Sequence, residues 1–244
     1  MTKQINVKGY SLSKDKPMIC IPIVENSANE IISKTKMALE AGARMIEFRA
    51  DYFDGLTDEV ALKELLHEMC LLCQDVVLLF TIRSVREGGR CSLEQSDIEK
   101  ILFDVAKSDY VDLIDYEFSQ NNNAKDVIAK LKENGIVIIA SHHDFDYTPS
   151  NEDLEVLFER MDSCGADIVK VAVMPRTFQD ALRMMDISNT FDISGKHPII
   201  TMSMGELGKI SRVACRFTGS IVTYASLDKS SAPGQIAFKD MIVL

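Results

Sequence analysis

Eight short runs of β-branched and other apolar residues recur along this 244-residue chain, and their starts lie 22 to 34 residues apart. Each run has the length and composition of a parallel strand that is buried on both faces. The runs are Met18–Val24, Ala43–Arg49, Val76–Arg83, Tyr110–Glu117, Ile136–Ser141, Ile168–Val173, Ile199–Ser203 and Ile221–Ala225. Such regular recurrence constrains the fold to a repeated strand–helix unit.

Segments with helical periodicity separate the runs, among them Ala28–Leu39, Asp58–Leu72, Ser96–Ala106 and Asp153–Met161. Eight strands alternating with helices predict an α/β protein, a single-domain (β/α)₈ TIM barrel over residues 1–244. Residues 1–17 precede the first strand and are expected to form a short hairpin that closes the barrel bottom. A doubly wound open sheet is the alternative, but no glycine-rich phosphate fingerprint follows any strand.

Composition narrows the class of protein. With 27 basic and 37 acidic residues, the formal charge is −10, which argues against nucleic acid as a partner. No apolar stretch approaches the ~20 residues that span a bilayer, and the N-terminus lacks the apolar core of a signal peptide. A cytoplasmic location is therefore expected, and the six cysteines are read as reduced thiols.

Lys170 lies inside the apolar run Ile168–Val173, where a lysine is rarely found without a partner. One interpretation is an ion-paired lysine at the end of a strand. The other is a Schiff-base lysine, because burial near other cations lowers the pKa of an amine and frees it as a nucleophile. The residue alone leaves both open.

Further reactive side chains follow the predicted strands at their carboxyl ends, where the active sites of barrel enzymes lie. Any one of them could belong to a structural ion pair. Together on one rim they are harder to explain by packing, and they suit a hydroxylated carboxylic acid whose ketone is attacked by Lys170. The set is Glu47, Arg49, Arg83, Glu87, His143, Lys170, Arg212 and Gln235.

The motifs that carry these residues resemble type I 3-dehydroquinate dehydratase, in order and over nearly the whole chain. The matching segments are Ile46–Asp51, Thr81–Arg83 with Glu87–Gly89, His143–Phe145, Asp167–Lys170 and Ser231–Gln235. The resemblance implies a (β/α)₈ barrel that dehydrates 3-dehydroquinate to 3-dehydroshikimate in the shikimate pathway. It also implies that the enzyme works without metal or cofactor and forms a homodimer.

The same resemblance implies a role for each matching residue. Lys170 forms the imine with the C3 ketone, His143 is the proton carrier, and Glu87 orients His143. The implied substrate-binding residues are Glu47, Arg49, Arg83, Arg212, Ser231 and Gln235. The resemblance assigns no role to Tyr224 or His142.

Two other functions remain open at this stage. A class I aldolase also needs a buried lysine on the sixth strand, but it does not predict the Ser231–Gln235 motif. A non-catalytic, carboxylate-binding barrel is the second, and the presence of both His143 and Lys170 argues against it. The polar, turn-rich loop Leu227–Gln235 is expected to act as a lid over the substrate.

Overall fold

The computed structural model describes residues 3–118, 123–228 and 231–243, and its strands alternate with helices as the sequence predicts. An antiparallel hairpin precedes a parallel sheet. The strands are β1 (Gln4–Val7), β2 (Tyr10–Ser13), β3 (Met18–Ile23), β4 (Met45–Arg49), β5 (Val77–Thr81), β6 (Leu113–Glu117), β7 (Val137–Asp144), β8 (Ile168–Val173), β9 (Ile199–Ser203), β10 (Val222–Ser226) and β11 (Ile236–Ala237). The eight predicted strands correspond to β3 through β10.

Some of the helices begin at residues whose side chains satisfy free backbone N–H groups of the first turn. Ser27 and Glu30 form a reciprocal capping box before the first helix, and Asp58 and Ser150 cap two later ones. The helices are α1 (Ala28–Glu40), α2 (Glu59–Leu72), α3 (Gln95–Ala106), α4 (Ala124–Lys132), α5 (Asn151–Asp162), α6 (Phe178–Ser194), α7 (Gly205–Val213), α8 (Cys215–Thr218) and α9 (Phe238–Met241). Within the described ranges, none of them is both long and apolar enough to span a membrane.

Strands β3 to β10 lie side by side in chain order, and β10 returns to pair with β3. The remaining seam, between β9 and β10, is joined by a hydrogen bond of 2.9 Å from the Ile221 N–H to the Ile199 carbonyl. The Thr201 N–H adds a bond of 3.1 Å to the Ser220 hydroxyl oxygen. The sheet therefore closes on itself. The (β/α)₈ barrel prediction is confirmed, and the open-sheet alternative is wrong.

Alternation along the strands divides the apolar residues into two layers. On β4, Ile46 and Phe48 face outward and belong to the layer between sheet and helices, where Phe48 packs edge-on against Phe80. Met45, on the opposite face, belongs to the apolar cluster inside the barrel. Because successive side chains of a strand point to opposite faces, Glu47 and Arg49 share the inner face with Met45.

The N-terminal hairpin closes the barrel at the end opposite the carboxyl ends of the strands, as expected. Leu12 is fully buried in the inner apolar cluster. The Lys8 ammonium donates to the Cys73 carbonyl and to Asp112, both at 2.9 Å, next to the starts of β5 and β6. Lys8 and Gly9 both have positive φ, at 50° and 79°, as a two-residue hairpin turn of the I′ type requires.

One strand runs further than the sequence predicts. Strand β7 continues past Ser141 to Asp144, because His142, His143 and Asp144 pair in register with Val171, Ala172 and Val173 of β8. The alternation of β7 consequently extends to the histidine doublet. His143 falls on the same face as Ser141, toward the barrel interior, whereas His142 falls on the other face.

We expect Leu12→Ala to lower the free energy of unfolding by about 2–5 kcal/mol, the usual cost of truncating a buried leucine. The hairpin plug would then leave a void beneath the barrel interior. Chemical denaturation measures the change. Val156→Ala, at a position 55% exposed on α5, is the matched control and should change it little. A loss at Leu12 no larger than that of the control would contradict the role of the hairpin as a plug.

Candidate active site

One cavity at the carboxyl ends of the barrel strands brings together every site residue that the sequence indicates. Its volume is about 40 Å³, room for only a few water molecules. The predicted residues that line it are Glu47, Arg49, Arg83, Glu87, His143, Lys170, Arg212, Ser231 and Gln235. Phe145, Met202, Met204 and Tyr224 also contribute to its wall. Their roles in catalysis or binding stay predictions.

Lys170 lies in the middle of β8, between Ser141 of β7 and Ile200 of β9 in the register of the sheet. Its neighbours Val169 and Val171 pack in the outer apolar layer, so the lysine side chain points inward. The residue is 3% exposed. Its ammonium nitrogen donates a hydrogen bond of 2.9 Å to Asp115 Oδ2 and lies 3.8 Å from Glu47 Oε1.

Asp115 is a site residue that the sequence analysis missed. It lies on β6, and its Oδ1 accepts hydrogen bonds from Arg83 at 2.7 Å and from the Ser141 hydroxyl at 2.5 Å. Burial alone raises the pKa of this carboxyl group, but Arg83 and Lys170 outweigh it and lower the pKa to about 2. The sequence signal was the pair Asp115 and Glu117, alternating within an apolar strand and so sharing its inner face.

Arg83 links side chains of β6, of β7 and of the 3₁₀ turn that follows β5. Besides Asp115, its guanidinium donates to Glu117 at 3.1 Å, to Ser141 at 2.9 Å and to Glu87 at 3.4 Å. Burial favours loss of its proton, but the surrounding carboxylates dominate and raise its pKa. The groups that directly contact the Lys170 ammonium are carboxylates, and Arg83 lies behind one of them.

His143 is held by Glu87. The His143 Nδ1–H and backbone N–H both donate to Glu87 Oε2, at 2.9 and 3.1 Å, which leaves Nε2 for a ligand. Burial, reinforced by Arg83 and Lys170, lowers the pKa of His143 well below 6.5, so the ring is neutral at pH 7. His142 lies 3.9 Å from the other Glu87 oxygen and is more exposed. The geometry therefore favours His143 as the proton carrier.

Gly88, which follows Glu87, forms part of the cavity wall beside His143. Gly88 has a φ of 78°, in the left-handed region that favours glycine. A Cβ atom at Gly88 would lie 2.4 Å from the ring of Phe145, which stacks against His143 with ring centroids 6.5 Å apart. Only glycine fits this close approach between the loop after β5 and the end of β7.

The end of β4 supplies two charged groups to the cavity. Glu47 Oε1 accepts a hydrogen bond of 2.9 Å from the Thr81 hydroxyl. Arg49 forms a two-point ion pair with Asp51, at 2.8 and 2.9 Å. A short 3₁₀ helix begins at Ala50, so the strand alternation ends before Asp51. Asp51 therefore orients Arg49 and accepts from the Arg90 N–H at 3.0 Å.

Arg212 is a buried cation without a carboxylate partner among the described residues. It lies on α7, is 1% exposed and donates to the Pro233 carbonyl at 3.2 Å and to the Met202 sulfur at 3.4 Å. Its Nε has no hydrogen-bond partner in the described part of the chain. Burial lowers its pKa to about 10. A buried guanidinium in this condition is suited to bind an anion.

The loop after β10 covers the cavity beside Arg212. The Ser231 N–H donates to Gln235 Oε1, and Gln235 Nε2 donates to the Ser231 hydroxyl, both at 2.9 Å. The Gly205 N–H donates to the Pro233 carbonyl at 3.1 Å, which fastens the loop to the start of α7. Lys229 and Ser230, which the sequence analysis included in a lid, lie outside the described residues.

A second cavity is larger but lacks such chemistry. It has a volume of about 500 Å³ and lies on the outer face of the barrel, lined by residues of α2 and α3 such as Lys63, Leu66 and Ile101. It shares no lining residue with the first cavity. We place the active site in the smaller cavity because buried charged groups with perturbed pKa values converge there.

Comparison with known proteins identifies the family. Residues 19–243 match the family model of type I 3-dehydroquinase. The 3-dehydroquinate dehydratase of Geobacillus thermodenitrificans is 36% identical over 238 residues, which cover 97% of this chain and 93% of that protein. The corresponding enzyme of Clostridioides difficile is 35% identical and is covered to 95%, with 99% of this chain.

Solved structures give the same result. The crystal structure of 3-dehydroquinate dehydratase from Geobacillus kaustophilus has a TM-score of 0.95 at 32% identity, with 99% of this chain and 94% of that chain covered. A structure of the type I enzyme from Clostridium difficile, with covalently modified comenic acid, also has a TM-score of 0.95, at 34% identity and coverages of 100% and 96%. This chain belongs to the type I 3-dehydroquinase family.

Proposed function

We propose that this protein dehydrates 3-dehydroquinate to 3-dehydroshikimate through an imine on Lys170. The observation that carries the proposal is the position of the Lys170 amine, which is buried in one cavity with a neutral, oriented histidine and an arginine that has no carboxylate partner among the described residues. Membership of the type I 3-dehydroquinase family supports the same reaction.

In the proposed first step, Lys170 attacks the C3 ketone and loses two protons, and water leaves. The positively charged imine that results withdraws electrons from C2 and makes its proton acidic. The ionised Asp115 carboxylate, 2.9 Å from the amine, keeps the nitrogen in place and balances the positive charge of the imine. The aldolase alternative uses the same imine, but no observation of this structure favours it.

His143 then removes the C2 proton through Nε2, because Nδ1 is engaged by Glu87. The same imidazolium donates the proton to the C1 hydroxyl as it leaves, and a C1–C2 double bond forms in conjugation with the imine. Hydrolysis of the imine releases the product and restores Lys170. Glu87 fixes the tautomer and orientation of the ring, as a carboxylate does in other histidine sites.

The proposed binding role of each residue follows from its charge and from the hydrogen bonds that it already makes within the protein. Arg212 binds the C1 carboxylate, since it is the buried cation whose Nε lacks a partner in the described residues. Glu47 and Arg49 contact substrate hydroxyls. Arg83 holds the network together instead, because its guanidinium is occupied by four side chains of the barrel.

Ser231 and Gln235 act as the substrate-covering lid. The loop supplies Ser231, Ala232 and Gln235 to the wall of the cavity, so its movement would open space for the substrate beside the buried charges. The reciprocal bonds between Ser231 and Gln235 then exchange for bonds to substrate hydroxyls.

We further propose that the protein is a cytoplasmic homodimer, as family resemblance implies. Large apolar side chains are exposed on neighbouring helices, with Phe178 on α6, Ile210 on α7 and Phe217 on α8. Exposed apolar groups of this kind are typical of protein–protein contacts. Light scattering should give a dimer mass that Phe217→Ser reduces, whereas Val60→Ser, at an exposed position of α2, should leave it unchanged. A monomer mass for the unmodified protein would contradict the proposal.

We expect borohydride to trap the imine on Lys170 when 3-dehydroquinate is present. Mass spectrometry should find the reduced substrate adduct on the peptide that contains Lys170. Lys170→Met keeps most of the side-chain volume and should abolish both the adduct and turnover. Lys132→Met, at a partly exposed lysine paired with Asp167, is the control and should behave as the unmodified enzyme does. An adduct on a different lysine, or none, would rule out the assignment.

The pH dependence of kcat/KM tests the proton carrier. His143 acts as a base only when neutral, and its lowered pKa keeps it neutral as the pH falls through 6.5. The acidic limb of the profile should therefore have an apparent pKa below 6.5, and activity should be lost only at more acidic pH. An acidic limb at or above 6.5 would contradict this order of events.

Alanine substitutions distinguish the roles of His143 and His142 in proton transfer. His143→Ala should lower kcat by roughly 10²- to 10⁴-fold, while the imine still forms and can be trapped with borohydride. His142→Ala is the matched control on the same strand and should retain most of the activity. The opposite pattern would transfer the proton-carrying role to His142.

A further inference from the structure

Tyr224 carries a buried hydroxyl group that the site described so far does not use. The residue lies on β10 and is 4% exposed. Its hydroxyl oxygen has no hydrogen-bond partner among the described residues. Leaving a buried hydroxyl unpaired costs stability, and each such group in a native protein needs an explanation, of which a catalytic role is one.

Tyr116 offers an internal comparison. It is equally buried, at 1% exposed, but its hydroxyl donates to Glu99 Oε1 at 3.2 Å, and it belongs to the outer apolar layer. The hydroxyl of Tyr116 is therefore explained by a contact within the fold. That of Tyr224 is not.

The position of Tyr224 points to the reacting centre. It lines the same cavity as Lys170, and the Lys170 amine lies 4.7 Å from the centroid of its ring. The Tyr224 ring therefore borders the space in which the amine would meet the substrate ketone.

Tyr224 is also suited to donate a proton in a hydrogen bond without losing it. Burial, reinforced by the neighbouring Glu47, Cys20 and Asp115, raises the pKa of this phenol well above its ordinary value of 10.0. Of the groups described around the Lys170 amine, Asp115 and Glu47 act as acceptors, the first from Arg83 and the second from Thr81. Tyr224 is the neighbour with a proton to offer.

We propose that the Tyr224 hydroxyl donates a hydrogen bond to the C3 oxygen of the substrate while Lys170 attacks C3. This inference rests on the proposed function and adds a catalytic residue to it. The bound ketone supplies the acceptor that the hydroxyl lacks in the described residues, and the bond strengthens as negative charge develops on the oxygen.

The atoms and charges of imine formation balance without an added reagent. A C3–N bond forms as both bonds between C3 and its oxygen break. The Lys170 ammonium loses two protons, both of which end on the departing oxygen, so that water leaves. The third proton and the positive charge remain on the imine nitrogen. Tyr224 keeps its own proton throughout and acts only by polarising the carbonyl group.

Tyr224→Phe tests the proposal, because it removes only the hydroxyl and preserves the ring beside Lys170. In a single turnover with 3-dehydroquinate, quenched with borohydride at successive times, imine formation should slow by at least about tenfold. The melting temperature should stay the same or rise, since an unpaired buried hydroxyl is removed. Tyr116→Phe is the control, and it should form the imine at the normal rate with a lower melting temperature.

A binding measurement distinguishes an effect of Tyr224 on imine formation from an effect on substrate affinity. The probe is the C3 alcohol obtained by reducing the substrate ketone, which has the other groups of the substrate but cannot form an imine. Its affinity should change less between the unmodified enzyme and Tyr224→Phe than the rate of imine formation does.

Three outcomes would overturn the inference. These are an unchanged rate of imine formation in Tyr224→Phe, a fall in its melting temperature like that of Tyr116→Phe, and a loss of affinity for the alcohol as large as the loss of rate. Failure of the unmodified enzyme to form any imine would instead overturn the proposed function, so the two failures are distinguishable.

Discussion

The ion-pair network from Arg83 through Asp115 to Lys170 is the interaction on which the site depends. These three residues come from the end of β5, from β6 and from β8, and each is at most 3% exposed. A buried charge is tolerated only when it is paired and hydrogen-bonded. Arg83 is satisfied by four side chains, and Asp115 by Arg83, Ser141 and Lys170. The network therefore fixes the amine at the centre of the barrel.

Two other groups in the same cavity lack a hydrogen-bond partner in the described part of the chain, unlike the residues of the ion-pair network. The network holds the site together, whereas these two groups are available to a substrate. Arg212 Nε and the Tyr224 hydroxyl have no hydrogen-bond partner among the described residues, and both line the cavity. A substrate with a carboxylate and a ketone supplies an acceptor for each. In the proposed reaction, substrate binding would offset the cost of leaving these groups unpaired.

Much of this arrangement could be predicted from the sequence. Strand spacing indicated the barrel, and the strand ends indicated Glu47, His143 and Lys170, because carboxyl ends of parallel strands meet at one rim. Asp115 was missed because it lies inside the predicted strand Tyr110–Glu117, whereas the search for reactive side chains followed the strand ends. The extension of β7 to Asp144 was missed because polar residues usually mark the end of a strand, whereas here pairing with β8 continues.

The sequence by itself determined the fold class, the family and the set of charged residues at the rim, since these follow from periodicity and from short motifs that are local in the chain. Only the tertiary structure decided which groups touch. The contact of Lys170 with Asp115, the contact of Glu87 with His143 and the absence of a partner for the Tyr224 hydroxyl among the described residues depend on distances between segments far apart in sequence. Those distances arise from closure of the barrel, which no local pattern records.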